Sequence, residues 1–193
     1  MLLPLNIARY LIQLSYRPDS PEESDLLCPL RIQKLLYYVQ GWSLALRQRA
    51  LFEEEIEAWP MGPVVPSVYR QLKGFGAQVV MPVQVGEPCD IPAVDAKLIE
   101  TVWKEYGRYS ANELIRMTHN ERPWKDARNA LSPTAKSSAI LSKESLKAFF
   151  EDETKKYGLA GIDPCDEWEA LEDYKRDGGI SGEELFGELL GER

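Results

Sequence analysis

A mainly α fold is what this sequence predicts: a compact multi-helix domain around one central apolar helix, with a small β-hairpin or short strands, and then a helical C-terminal tail. Three observations carry that expectation. Between Leu30 and Leu46, apolar residues at 32, 35, 36, 39 and 46 follow helical spacing, and a second set at 30, 37, 38, 42 and 45 covers most of the opposite side. A helix apolar nearly all round is normally enclosed by other elements. Helix-start signals recur along the chain, the clearest being Ser110-Ala111-Asn112-Glu113, a capping box. Finally, 193 residues with 44% hydrophobic and 28% charged content suit one globular domain with an appendage.

Taken in order, residues 5–16 read as a first helix with Ile7, Tyr10, Leu11 and Leu14 on one face, closed by Pro18 and Pro21. The central helix starts near Pro29, a favourable first-turn residue. Gly41 in its middle costs about 1 kcal/mol against Ala, so a neighbouring backbone is expected to pass close by there. Alternation over Glu55–Trp59 marks a short strand, and Gly62-Pro63 marks a turn. A helix carrying Val64, Val65, Val68, Tyr69 and Leu72 then runs to Lys73, closed by Gly74 and Gly76. Residues 77–93 read as a loop with a short extended piece at Val79–Val85. Leu98, Val102 and Tyr106 mark a helix ending at Gly107. The Ser110 box opens a helix through Thr118, Pro123 starts a short helical piece to about Ala130, and Ser142 caps the last domain helix, with Leu141 stapled to Leu146.

The boundary falls near residue 158, giving a domain over 1–158 and an acidic helical extension over 159–193. Formal net charge is -8, and residues 151–193 alone hold 14 acidic and 5 basic residues. The domain is therefore near neutral and lacks the basic footprint of a nucleic-acid binder. In the extension, Asp163-Pro164 and Ser181-Gly182-Glu183-Glu184 are helix starts. Trp168, Leu171 and Tyr174 form one narrow apolar stripe, and Leu185, Phe186 and Leu189 another. Helices this short need a surface to dock on. Cys28, Cys89 and Cys165 are far apart and odd in number, which points to a reducing cytoplasm. No leader pattern or membrane-spanning run is read from the sequence.

The search for chemistry yields little. His119 is the sole histidine, and a catalytic base needs an orienting partner and a nucleophile within reach. Ser110 and Thr118 are near it in sequence only, so a structural histidine is expected, with a His-dependent enzyme as the alternative. No metal-ligand spacing or phosphate-binding glycine motif occurs, and no cofactor is expected. Lys34 and Gln40, polar on the central helix, either sit at its rim or belong to a buried or partner-facing network. Trp42, Trp59, Tyr69 and Trp124 read as core, with any exposed subset serving as interface anchors.

Several motifs in register resemble a known family. The run Ile32 to Leu46, Leu51-Phe52, Glu57-Ala58-Trp59 and Gly62-Pro63-Val64-Val65-Pro66-Ser67-Val68-Tyr69 is similar to the Panacea domain of SocA-like antitoxins. Downstream, Tyr106-Gly107, Tyr109-Ser110-Ala111, Glu113-Leu114, Thr118-His119 and Pro123-Trp124 keep the same order. The resemblance covers residues 5 to 150. It implies that Lys34, Gln40, Trp42, Trp59, Gly62, Pro63, Tyr69, Thr118, His119 and Trp124 are family-motif positions, the Thr118-His119 pair and Pro123-Trp124 having no assigned catalytic role in that family. It also implies a phage- or prophage-associated antitoxin that neutralises a protein toxin, encoded by a neighbouring gene, through direct contact. One family member hands its toxin to an AAA+ protease, so a proteolytic adaptor is the alternative. Outside the resemblance, Trp168, Leu171, Tyr174, Leu185, Phe186 and Leu189 are expected to contact the partner. Neither nucleic acid nor membrane is expected as a partner.

Overall fold

The structure is a computed structural model that describes residues 1–156 except Ala130 and Pro133. Its order is α1 (Pro4–Ser15), α2 (Pro29–Arg47), β1 (Ile56–Trp59), β2 (Gly62–Val64), α3 (Pro66–Leu72), α4 (Pro82–Val85), α5 (Ala93–Tyr106), α6 (Ala111–Asn120), α7 (Arg122–Arg128), β3 (Ile140–Leu141) and α8 (Lys143–Lys156). The mainly α fold with short strands is as the sequence predicts. The expected tail helices, with their six partner-facing anchors, lie outside the described residues.

Helix α2 is the axis of the domain. It touches α1, α3, α5, α6, α8 and β2. Ile32, Leu35, Leu36, Tyr37 and Val39 are fully buried, and Tyr38 is 1% exposed. Enclosure on every side explains why its apolar residues do not confine themselves to one stripe. It begins with Pro29 at its first turn and ends at Gln48, whose φ of 53° is left-handed.

Gly41 answers the close approach expected of it, but the neighbour is a side chain rather than a backbone. A Cβ placed there would lie 2.0 Å from Cε2 and 2.3 Å from Cδ2 of the Phe150 ring of α8, a clash. Phe150 also packs against Trp42 with ring centroids 5.0 Å apart and against Tyr37 at 5.7 Å. The missing Cβ is thus what lets α8 lie against the centre of α2.

The strands form one antiparallel sheet in the order β2-β1-β3. Glu57 pairs with Val64, Ala58 with Pro63 and Trp59 with Gly62, so Pro60 and Met61 make the hairpin turn. The turn expected at Gly62-Pro63 therefore moves two residues upstream, and Gly62 enters β2 with a φ of +96°, a conformation suited to glycine. Val64 belongs to that strand rather than to the following helix, because Pro66 sets the first turn of α3. The third strand, Ile140–Leu141, pairs with Ile56 and Glu57; two residues are too few to leave a periodic signal.

Two further expectations change. Within the extended piece expected at Val79–Val85, Pro82–Val85 instead form the single turn of α4, where the Gln84 side chain accepts the Met81 N–H at 2.7 Å. Tyr69, expected in the core, is 38% exposed, and Trp42 and Trp59 are half-buried, whereas Trp124 is buried as expected. The Ser110 capping box forms as read, with both reciprocal bonds to Glu113 present at 2.7 and 3.3 Å. Ser142 likewise caps α8, accepting the Ser145 N–H at 3.0 Å.

Gly41→Ala gains about 1 kcal/mol of helix propensity but forces a methyl into a buried ring, where overpacking costs about 1–3 kcal/mol. The ring lies 2.0 Å from the Cβ position, so the steric cost is expected to win. Chemical denaturation should show a net loss of stability, and the loss should shrink in a Phe150→Leu background, where the ring is gone.

Candidate functional site

Most of the family-motif residues named from the sequence converge behind the β1–β2 hairpin. Lys34 projects from α2 and is 0% exposed. Its Nζ donates to the Pro63 carbonyl at 3.0 Å. The rim reading of Lys34 is thereby corrected: the ammonium is interior, and a backbone carbonyl of β2 receives it. Gly62 makes room, since a Cβ there would lie 2.6 Å from Lys34 Cε and 2.9 Å from Thr118 Oγ1. Thr118 turns its own hydroxyl back to the Leu114 carbonyl at 3.0 Å.

Two side chains of α7 grip the other hairpin strand. Trp124 Nε1 donates to the Trp59 carbonyl at 3.0 Å, and Arg128 Nη1 donates to the Ala58 carbonyl at 2.9 Å. The Arg128 guanidinium, 3% exposed, lies 5.0 Å from the Trp124 ring centroid, a cation–π distance. His119 also stacks on that indole, with centroids 3.9 Å apart and planes 15° from parallel. Its Nε2 is buried and has no hydrogen-bond partner among the described residues. Burial first, then the nearby positive charges of Lys34 and Arg128, hold the imidazole below its ordinary pKa, against a Pro60 backbone hydrogen bond that favours the proton. No hydroxyl, thiol or carboxylate among the described residues hydrogen-bonds this histidine, so no nucleophile–base pair forms around it.

Gln33, one residue before Lys34, accepts the Val65 N–H at 2.7 Å through Oε1. Gln40, fully on the network side of the two readings, accepts the Leu51 N–H at 2.9 Å and donates to the Phe52 carbonyl at 2.8 Å. It therefore fixes the loop leaving α2. Trp42 Nε1 donates to Tyr106 Oη at 3.1 Å, away from the hairpin. Trp59 donates its indole N–H to Glu57 at 2.6 Å and meets Tyr69 edge to face with centroids 4.8 Å apart.

A second buried polar group, which sequence reading did not single out, joins α2 to α7 and α8. Tyr37 and Tyr38 both donate to the Glu121 carboxyl, at 2.5 and 2.8 Å. Tyr38 stacks on Tyr106 with centroids 3.8 Å apart, and Glu153 of α8, 3% exposed, adds its negative charge nearby. Desolvation pushes the Glu121 carboxyl up to about 8, against the two tyrosine hydrogen bonds that favour its ionised form, and Glu153 pushes it further. Desolvation likewise raises both tyrosines well above their ordinary range. Adjacent tyrosines on an otherwise apolar helix were the available signal.

Among the described residues, no group of three or more His, Cys, Asp and Glu is arranged to hold a metal, and no helix is long and apolar enough to cross a membrane.

The two buried groups give stability a defined pH dependence. Desolvation lowers Lys34 to about 7 from 10.5, so the native state releases that proton more readily than the unfolded chain, and stability rises with pH between about 7 and 10.5. Glu121, raised to about 8 from 4.5, has the opposite sign: the native state keeps a proton that the unfolded chain gives up, and stability falls as pH rises from 4.5 to 8. Denaturation midpoints across pH should show Glu121→Gln flattening the acid-to-neutral decline and Lys34→Met flattening the alkaline rise. Unchanged slopes in both variants would contradict this burial.

With the geometry in place, comparison with known proteins is informative. Residues 32–125 match the family described as Antitoxin SocA-like, Panacea domain. The span includes Lys34, the hairpin, Thr118, His119 and Trp124, all the parts of the clasp except Arg128. Antitoxin SocA of Caulobacter vibrioides (strain NA1000 / CB15N) is 32% identical over a stretch covering 49% of this chain and 56% of that protein. The chain thus spans about half the length of the curated relative it matches. No solved structure matches it. The central helix from Ile32 on, the hairpin and the Thr118–Trp124 segment thus lie in the stretch, residues 32–125, that is similar to the Panacea domain of SocA-like antitoxins.

Proposed function

We propose that this protein is the antitoxin of a toxin–antitoxin pair, that it neutralises its toxin by direct protein–protein binding, and that it is not an enzyme. The match of residues 32–125 to the SocA-like Panacea domain is the observation that carries the reading. The disposition of the motif residues supports it. Lys34 and Trp124 each bond a hairpin carbonyl, and Gly62 leaves room for the Lys34 and Thr118 side chains. His119 is spent on an indole stack and has neither an orienting carboxylate nor a nucleophile bonded to it among the described residues.

We further propose that the domain proper occupies residues 1–158 and that the acidic extension over 159–193 takes part in toxin recognition, with Trp168, Leu171, Tyr174, Leu185, Phe186 and Leu189 as contacts. Aromatic and aliphatic anchors flanked by acids suit a basic toxin surface, with the charges accelerating encounter. The partner is expected to be the product of an adjacent gene.

Co-expression with the product of each flanking gene tests this directly. One product should arrest growth alone and be silenced by the intact chain, and the two should co-purify. His119→Ala, if it folds with an unchanged melting temperature, should still neutralise. Trp168→Ala with Phe186→Ala in the full chain should keep the wild-type circular dichroism and bind the toxin at least tenfold more weakly. Silencing without any measurable complex would overturn the direct-binding mechanism.

A further inference from the structure

Exposed apolar side chains scattered singly are ordinary on a folded surface. The hairpin carries a group of them. Trp59 and Tyr69 form an edge-to-face pair with centroids 4.8 Å apart, Tyr69 is 38% exposed, and Met61 at the hairpin tip is 53% exposed. The backbone under this group is held from behind at three carbonyls, those of Ala58, Trp59 and Pro63, by Arg128, Trp124 and Lys34. Aromatic and methionine side chains on a backbone fixed in this way have the composition and preorganisation of an interface core. Its rim includes Arg70 and Lys73 of the Tyr69 helix and the turn after it, both exposed and neither in an ion pair among the described residues.

We propose that this patch seats the chain's own C-terminal segment, residues 159–193, while the protein is free of any partner. Three facts favour this occupant. The chain leaves α8 beside the helix that supports the hairpin: Arg122 of α7 pairs with Asp152 of α8 at 2.9 Å, and Trp124, two residues further on, holds Trp59. The linker is long, since the nine residues from Lys156 to Cys165 span up to about 30 Å when extended. The chemistry is complementary, since residues 159–193 carry 11 acidic and 3 basic residues together with Trp168, Leu171 and Tyr174. A tethered segment meets its seat at an effective concentration of about millimolar, so modest affinity suffices. Toxin capture then requires the segment to leave the patch, which makes hairpin and toxin competitors for the same anchors.

Cys165 lies three residues before Trp168 and provides a built-in probe. In the full-length chain with Cys89→Ser, Met61→Cys should form a disulfide with Cys165 under mild oxidation, within monomers as shown by non-reducing electrophoresis and peptide mapping. The rate should exceed that of a Val83→Cys control, whose site is 88% exposed on α4, by at least tenfold. It should fall by a similar factor with Trp168→Ser and Tyr174→Ser, and fall with added salt. Equal rates at positions 61 and 83 would overturn the proposal. So would bonds that form only between chains, which would identify a second copy as the occupant. No toxin enters this experiment, so its outcome is independent of the neutralisation reading.

Discussion

A single buried ammonium organises the functional half of this domain. Lys34 arises from the second turn of α2, and among the described residues its ammonium donates to the Pro63 carbonyl at 3.0 Å. Burying a charge is costly unless it is compensated, and the compensation here is local: a strand carbonyl placed by a hairpin whose Gly62 leaves space for the side chain. Lys34 fixes β2 to α2, Trp124 and Arg128 fix β1 to α7, and Gln33 fixes the start of α3. An isolated two-stranded hairpin is marginal in water; this one is positioned by side chains reaching its backbone from two helices.

The second polar group balances the first. The Glu121 carboxyl receives both hydroxyls of Tyr37 and Tyr38 where α7 begins, so the helix that carries Trp124 and Arg128 is itself anchored to α2. Buried networks of this kind specify one arrangement of the surrounding elements when every member is satisfied. The two sites have opposite linkage to pH, and both tie α2 to elements that hold the hairpin.

Much of the fold was legible because α2 has an unmistakable apolar surround, and because Pro29 and the Ser110–Glu113 box mark helix starts by simple backbone chemistry. What was not legible depended on contacts between distant segments. Gly41 signalled a close approach, but only packing reveals Phe150 rather than a backbone as the neighbour. Gly62-Pro63 read as a turn because both residues favour turns, whereas the pairing of Trp59 with Gly62 places the turn at Pro60-Met61. At the site, Lys34, Gly62, Thr118, His119 and Trp124 meet around the hairpin, while Gln40 and Trp42 bond elsewhere, and none of these roles was visible in the sequence. Lys34 at the rim and Lys34 in the interior have the same sequence signature, and Arg128 carried none. Tyr69 read as core by its helical spacing with Val65 and Leu72, but α3 turns it outward beside Trp59.

The buried polar groups of this domain go into holding backbone. The claim rests on Lys34 being interior and short of solvent. Nuclear magnetic resonance titration of the lysine Cε and Nζ signals measures that property directly. The account predicts one lysine titrating near about 7, assigned to Lys34 by its loss in Lys34→Met. A Lys34 signal titrating at the ordinary lysine value near 10.5 would contradict it, because an ammonium with that behaviour is solvated and cannot be the buried clasp of the hairpin.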